Sequence, residues 1–204
     1  MITFVTIFIV HFFALITPGP DFFLVTRQAL AGEGERERIW TIFGICCGGL
    51  LWVSLSLAGL GRVMALYPLL QTSIALLGAA YLLYLAVKIV MAARVAESVP
   101  TADEVRERHF FRLGFLTNLA NFKAMIYFIG LLAAFDKIYR HPLLSLALAV
   151  MIFAETFMWF YLIGRFFTYP RFRAWYGRHR LKMEYATAAV FMVFAAGIVL
   201  AVLR

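Results

Sequence analysis

Six long apolar segments account for most of this chain of 204 residues, and they restrict the folds open to it. Each segment is at least as long as the ~20 residues with which a helix crosses the ~30 Å hydrocarbon core of a bilayer. The segments are too long for the strands of a membrane barrel and lack their alternation. The sequence therefore predicts an all-α integral membrane protein with six transmembrane helices, near residues 2–25, 39–61, 68–91, 111–135, 142–165 and 183–203.

The composition indicates that lipid, rather than water, is the main solvent of the chain. Hydrophobic residues make up 64% of it and charged residues only 15%, against about 25% charged residues in soluble domains. The net charge of +8 comes from basic residues in the connections between apolar segments. Basic residues in such places orient a chain and meet anionic headgroups, so we expect a lipid bilayer and no nucleic acid as partner. No Lys or Arg precedes the first apolar segment, which predicts a permanent span rather than a cleaved leader.

The connections differ sharply in charge, and this difference predicts the orientation of the chain. Fourteen basic residues lie on one side, in or near the connections after the first, third and fifth segments: Arg27, Arg36, Arg38, Lys88, Arg94, Arg106, Arg108, Arg112, Arg165, Arg171, Arg173, Arg178, Arg180 and Lys182. Four lie on the other side: Arg62, Lys137, Arg140 and Arg204. The positive-inside rule places the first set in the cytoplasm, so both termini are predicted to be periplasmic.

A polar stretch, residues 94–109, divides the chain into two halves of three apolar segments each. An odd number of spans per half inverts the second half relative to the first. We therefore predict a single transmembrane domain over residues 1–204, built from two inverted repeats at about 1–93 and 110–204. In proteins of this kind, substrate sites form at the midplane between discontinuous helices.

A helix-breaking sequence, Pro18-Gly19-Pro20, followed by Asp21, interrupts the first apolar segment. Neither proline can donate a backbone hydrogen bond, and each ring clashes with the carbonyl four residues earlier. Such a break inside a bilayer needs protein or a wet cavity around it, so it predicts a broken helix that lines a transport pathway. The alternative is a helix that ends at the cytoplasmic interface near Pro18. Asp21 is expected to pair or to take up a proton, and it is also a favoured N-cap for a helix from Phe22 onwards.

The fourth segment carries a second predicted break, at Asn118, Asn121 and Lys123, about one hundred residues after the first. The two amides can satisfy loosened backbone groups or bind a polar ligand. Lys123 is either a cation that snorkels to the interface or a partner of Asp21. Because opposite charges occupy corresponding positions in the two halves, we hypothesise that Lys123 and Asp21 approach each other at a central site.

Two further polar residues lie inside apolar segments. Glu155 is in the middle of the fifth segment, and ionisable residues within a membrane are functional candidates by default. We predict that Glu155 handles protons or binds substrate, with a structural hydrogen bond to another helix as the alternative. His11 lies in the first segment. A single His in a membrane helix more often forms a hydrogen bond to a neighbouring helix than takes part in function, so we expect such a bond for His11.

Other motifs give no indication of catalysis. The sequence contains no nucleophile elbow, P-loop or zincin helix, so we predict no enzyme activity, catalytic residue, metal site or cofactor. Cys46 and Cys47 are adjacent, which strains a disulfide, and we interpret them as small apolar residues. Small residues such as Gly44, Gly48 and Gly78 predict close helix packing, within the chain or in a homodimer.

Three stretches of the sequence resemble the LysE/RhtB-type amino-acid exporters: Leu15 to Val25, Leu77 to Leu85 and Phe111 to Ala124. The resemblance implies a bacterial inner-membrane protein that exports amino acids or similar small metabolites in exchange for protons. It implies that the following residues occupy the family's motif positions: Pro18, Gly19, Pro20, Asp21, Asn118, Asn121 and Lys123. The chain departs from the family at Phe122, where the family usually has Pro, and this departure predicts a milder second break.

The sequence thus predicts secondary export of a small zwitterion, in which Asp21 and Glu155 titrate while Lys123 and the two asparagines meet the substrate carboxylate. One alternative is a cation exporter of similar architecture, which would need several oxygen ligands. Another is a transmembrane thiol-disulfide conduit, which would need a reactive Cys in each half.

Overall fold

The structure is a computed structural model that describes residues 2–59, 63, 66–94, 103–133 and 142–202. Within these ranges the main elements are all helices, and no strand occurs among them. They are α1 (Ile2–Ile16), α2 (Pro20–Ala31), α3 (Glu35–Leu57), α4 (Pro68–Arg94), α5 (Asp103–Leu119), α6 (Phe122–Ala133), α7 (Pro142–Phe167) and α8 (Pro170–Val202). The predicted all-α class is confirmed.

Four stretches of helix are long and apolar enough to cross a membrane: Glu35–Leu57, Thr72–Met91, Pro142–Phe167 and Leu181–Val202. Helices α1 and α2 together make a fifth, bent by 58° where they meet. The predicted fourth segment is divided between α5 and α6 and is not among these five. Of the predicted linker, residues 95–102 lie outside the described ranges, and its last part already belongs to α5.

The first break separates α1 from α2 between Ile16 and Pro20. Pro20 is the first residue of α2, a position where the missing N–H has no helical partner to lose. Gly19 is the N-cap, with an extended backbone and no side-chain cap. The expectation that Asp21 caps this helix is wrong, because the helix begins one residue before it. Asp21 instead lies in the first turn, with its side chain free to bond elsewhere.

Helices α3 and α5 approach each other closely, and glycines make the approach possible. A Cβ atom on Gly44 would collide with the backbone oxygen of Phe111, and one on Gly114 would collide with that of Thr41. Gly78 of α4 lies similarly against the backbone of Ala120. The small residues of α3 and α4 therefore pack within the chain, which is the first of the two roles predicted for them.

The remaining helices pack in a limited set of pairs. Helix α4 packs along α8, α3 also contacts α6 and α7, and α2 contacts both α7 and α8. At the end of α2, Arg27 Nε forms an ion pair with Glu184 Oε2 of α8 at 2.6 Å, and Tyr176 donates a hydrogen bond to the same carboxylate. Many large apolar side chains on the outer faces of the helices are exposed, as expected for surfaces in contact with lipid.

Candidate functional site

The two breaks lie against each other and share the Asp21 carboxylate. Asn118 and Asn121 each donate a hydrogen bond from Nδ2 to Asp21 Oδ2, both at 2.9 Å. Asp21 is 6% exposed and the two asparagines are equally buried. The first turn of α2 also favours a negative charge, by about 0.3–1 kcal/mol, because the positive end of the helix dipole lies there. Two amides from one half of the chain thus hold the carboxylate of the other half.

Lys123 makes the reciprocal connection. Its Nζ donates hydrogen bonds to the carbonyl oxygen of Ala14, at 2.7 Å, and to that of Thr17. These carbonyls belong to the end of α1, where the helix leaves its last carbonyl groups without partners and where its dipole favours a cation. Lys123 and Asp21 line the same cavity but form no ion pair within 4 Å. Each of the two charged side chains is hydrogen-bonded to the break in the other half of the chain. The hypothesised approach of Lys123 to Asp21 therefore takes the form of a shared cavity wall rather than a direct contact.

Asn121 explains how the second break forms without a proline. Its Oδ1 accepts a hydrogen bond from the backbone N–H of Ala124 at 3.4 Å, which is the geometry of an N-cap for α6. The same side chain donates to Asp21 through Nδ2. The preceding turn is closed by Asn118, whose backbone oxygen accepts from Trp52 Nε1 at 3.4 Å and from the N–H of Asn121 at 3.1 Å.

A cavity of ≈ 50 Å³ lies at the meeting point of the breaks. Asp21, Asn118, Asn121 and Lys123 line it together with Gly19. A volume of this size holds a few water molecules. The site is therefore small, and its wall contains both a carboxylate and an ammonium.

A second set of polar groups also lines this cavity. His11 Nδ1 and the hydroxyl of Tyr127 are 3.1 Å apart, and His11 Nε2 and Thr156 Oγ1 are 3.0 Å apart. His11 is only 2% exposed, and all three residues line the cavity. His11 is hydrogen-bonded to neighbouring helices, as predicted. Tyr127 and Thr156 are not among the residues that the sequence predicts for the site, although Thr156 places a hydroxyl next to Glu155 in the sequence.

Glu155 lies beside the cavity rather than in its wall. Its side chain is 8% exposed, and neither carboxylate oxygen has a hydrogen-bond partner among the described residues. The adjacent Thr156 does line the cavity, and Tyr127 is close enough to interact with Glu155 electrostatically. The alternative role predicted for Glu155, a structural hydrogen bond to another helix, is not seen in this part of the chain.

Other polar groups serve the packing of helices. Gln28 Nε2 donates to Thr41 Oγ1 at 3.0 Å in a fully buried contact between α2 and α3. Cys46 and Cys47 are free thiols. Among the residues that the structure describes, no three His, Cys, Asp or Glu side chains are grouped as a metal site would require.

Several membrane-length helices, a broken span and a cavity lined by buried polar and charged residues are typical of one class of protein, the multi-pass membrane transporters.

The comparisons with known proteins narrow the class. A family model described as LysE type translocator matches residues 12–202. The threonine efflux protein of Escherichia coli strain K12 is 29% identical over 204 residues, which cover 98% of each chain. An uncharacterized membrane protein of Haemophilus influenzae is 32% identical over 197 residues, which cover 94% of this chain and 93% of that protein. No solved structure matches the chain significantly.

This chain belongs to the LysE type translocator family. It is a membrane transporter rather than an enzyme, and the resemblance seen in the three sequence stretches is confirmed.

Proposed function

We propose that this protein exports threonine, or an amino acid of similar size, across the bacterial inner membrane in exchange for protons. The observation that carries the proposal is the Asp21 carboxylate, held by Asn118 and Asn121 in a cavity that Lys123 also lines. The relatives described as threonine efflux proteins support the substrate class, since they match along nearly the whole chain.

The proposed architecture is six spans in two inverted repeats, at about 1–93 and 110–204. The contacts between helices support this architecture, because contacts made by a helix of one half have counterparts in contacts made by the corresponding helix of the other half. The first broken pair packs on α7, and its counterpart, α5 with α6, packs on α3. The contact of α4 with α8 joins the last helix of each half and is therefore its own counterpart. The two breaks also correspond to each other, since each one supplies hydrogen-bond partners to a charged residue of the other.

The substrate is proposed to lie between the two charges. Asp21 Oδ1 is buried and has no hydrogen-bond partner in the described part of the chain, so it is available to a substrate ammonium. Lys123 meets the substrate carboxylate, with the amides of Asn118 and Asn121 beside it. The hydroxyl and imidazole groups of Thr156 and His11 are placed to hydrogen-bond a polar side chain such as that of threonine.

Transport requires a second conformation. The cavity of ≈ 50 Å³ is too small for an amino acid and holds only a few water molecules. We propose that the two breaks separate during transport, so that the hydrogen bonds of Asp21 and Lys123 pass from the opposite break to the substrate. Rocking of one repeat against the other around a fixed site is the usual form of alternating access.

Protons are proposed to couple through Asp21 and Glu155. An ionised carboxylate within a bilayer costs at least ~2.5–3.5 kcal/mol on insertion scales. Glu155 has no partner in the described residues to offset this cost, so binding a proton stabilises it. Asp21 exchanges a proton for the substrate ammonium at the cavity.

The test is threonine efflux from cells that are loaded with a threonine-containing dipeptide. Expression of the chain should accelerate efflux over an empty vector, and a protonophore should abolish the gain. Asp21→Asn should lower the initial rate by about tenfold to a hundredfold, because it removes a charged hydrogen bond to the ammonium, worth about 1.5–3 kcal/mol.

The matched control is Glu35→Gln, which removes an exposed carboxylate that lies outside the cavity and accepts a hydrogen bond from Tyr161. This variant should transport normally. Full activity of Asp21→Asn, with the variant present in the membrane, would contradict the site. Efflux that persists after the proton gradient collapses would contradict the antiport alone.

A further inference from the structure

A second cavity, of ≈ 340 Å³, lies between α2, α4, α5 and α8. It shares no lining residue with the central cavity, although α2 and α5 contribute to both. Its wall is mainly apolar and aromatic, with Leu116 and Phe191 among the lining residues. Leu116 is 42% exposed, so the cavity opens onto the face of the bundle that meets lipid.

Basic side chains lie at one end of this cavity. Arg27, Lys88, His109 and Arg112 all line it, and none of the described lining residues is acidic. Arg27 is already paired with Glu184, outside the cavity. Lys88 and Arg112 are exposed, and no hydrogen bond or ion pair satisfies them in the described part of the chain. Lys88 Nζ lies 5.6 Å from the centre of the Tyr84 ring, a cation–π contact that leaves its N–H groups free.

The combination of apolar walls with cations that have no partner among the described residues indicates which occupant fits. A zwitterionic amino acid needs a carboxylate for its ammonium, and the described lining offers none. A small soluble anion would bind the cations but would leave the apolar walls of the cavity uncovered. An anionic phospholipid matches both parts, because its phosphate meets the cations while an acyl chain fills the apolar space.

The position in the chain is consistent with this occupant. Lys88 and Arg112 flank the predicted linker and belong to the basic end of the bundle, which the positive-inside rule assigns to the cytoplasmic leaflet. Basic pockets between transmembrane helices on that side are known sites for anionic headgroups.

We propose that this cavity binds one anionic phospholipid, with its phosphate between Lys88 and Arg112 and an acyl chain against Leu116 and Phe191. The site is separate from the proposed transport site and does not depend on the identity of the transported substrate. Helices α2 and α5 each belong to a broken segment, and each contributes to both cavities. A bound lipid would therefore contact both helices away from the breaks and stabilise their packing.

The test is native mass spectrometry of the full chain, purified in mild detergent and titrated with phosphatidylglycerol, phosphatidylcholine or glycerol 3-phosphate. One phosphatidylglycerol per chain should be retained at concentrations where neither of the other probes binds. Lys88→Gln combined with Arg112→Gln should weaken retention by about tenfold to thirtyfold, since the two cations contribute similar shares of the affinity for an anionic headgroup.

The matched control is Arg165→Gln combined with Lys182→Gln, which removes the same charge from exposed positions outside the cavity. It should retain the lipid as the unaltered chain does. Leu116→Trp is a second test variant, which fills the apolar part of the cavity and keeps the cations. Like the Lys88–Arg112 variant, it should weaken retention of the lipid. Equal retention of phosphatidylcholine, binding of glycerol 3-phosphate, or unchanged retention in the Lys88–Arg112 variant would each overturn the proposal.

Discussion

At the scale of single residues, the central site solves the problem of charges in a bilayer by matching each charge to a helix end. The break exposes the positive end of α2 and the negative end of α1. Asp21 lies at the first and Lys123 donates to the carbonyls of the second. Hydrogen bonds to the opposite break add to this stabilisation, through Asp21 Oδ2 and Lys123 Nζ, without a direct ion pair between the two charges.

Lys123 provides the sharpest residue-scale prediction. Lys123→Ala should lower the midpoint of thermal unfolding in detergent by about 5 °C, because it removes the hydrogen bonds of a charged group to the carbonyls of Ala14 and Thr17, and such bonds contribute about 1.5–3 kcal/mol. Lys123→Arg keeps the charge and donors and should retain more of the stability. Lys182→Ala, at an exposed position of α8, is the control and should have no effect. Normal stability and normal threonine efflux in Lys123→Ala would exclude Lys123 from the site.

At the scale of elements, close approach and capping decide where helices lie and where they end. Glycines bring α3 within backbone contact of α5, and Asn121 starts α6 without a proline. The sequence predicts both breaks and the small-residue faces. It does not reveal that Asn121 both caps α6 and holds Asp21, because the second role depends on a residue that lies one hundred positions away.

Gly114→Ala tests the packing of α5 on α3. The added Cβ would collide with the backbone oxygen of Thr41, which no side-chain movement can relieve, so we expect a loss of about 1–3 kcal/mol. Gly197→Ala is the matched control, because it is a helical glycine with open space around its Cβ position. It should be neutral or stabilising by up to about 1 kcal/mol. Unfolding midpoints of the two variants in the same detergent measure the difference, and equal midpoints would contradict the close contact.

Phe122→Pro introduces the residue that the resemblance to the LysE/RhtB-type exporters implies at this position. Phe122 is the first residue of α6, where proline fits without loss of a helical hydrogen bond. We expect the variant to insert and fold at near-normal yield. Ile126→Pro, one turn further into α6 on a lipid-exposed face, should lose about 3 kcal/mol, because it removes a helical hydrogen bond. Yield and elution profile in detergent distinguish the two, and equal behaviour would place the start of α6 elsewhere.

At the scale of the whole molecule, charge predicts the orientation, and helix pairing sets the arrangement. The count of basic residues on the two sides is readable from the sequence because the connections are short. The pairing of α4 with α8, and of α3 with α5, joins segments that are far apart in the chain. Apolar faces of similar composition do not specify their partners, so this pairing was not predictable from periodicity.

The orientation predicts where a fused reporter is active. Alkaline phosphatase attached after Arg204 should be active in the periplasm, and green fluorescent protein at the same position should be dark. Truncation after Glu33, in the basic first connection, should reverse both signals. An active phosphatase after Glu33 or a fluorescent fusion after Arg204 would contradict the proposed periplasmic termini.

The sequence by itself determined the class of this protein, because long apolar segments leave lipid as the only suitable solvent and prolines beside a carboxylate mark a broken helix. It also predicted Asp21, Asn118, Asn121 and Lys123 as candidate site residues, since polar groups inside an apolar segment are costly and stand out. Only the tertiary structure decided which groups they bond. The Asp21 carboxylate and the amides that hold it are separated by about one hundred residues, and local sequence carries no information about a contact at that distance. The same reason hid the network of His11, Tyr127 and Thr156, in which three helices each contribute one side chain.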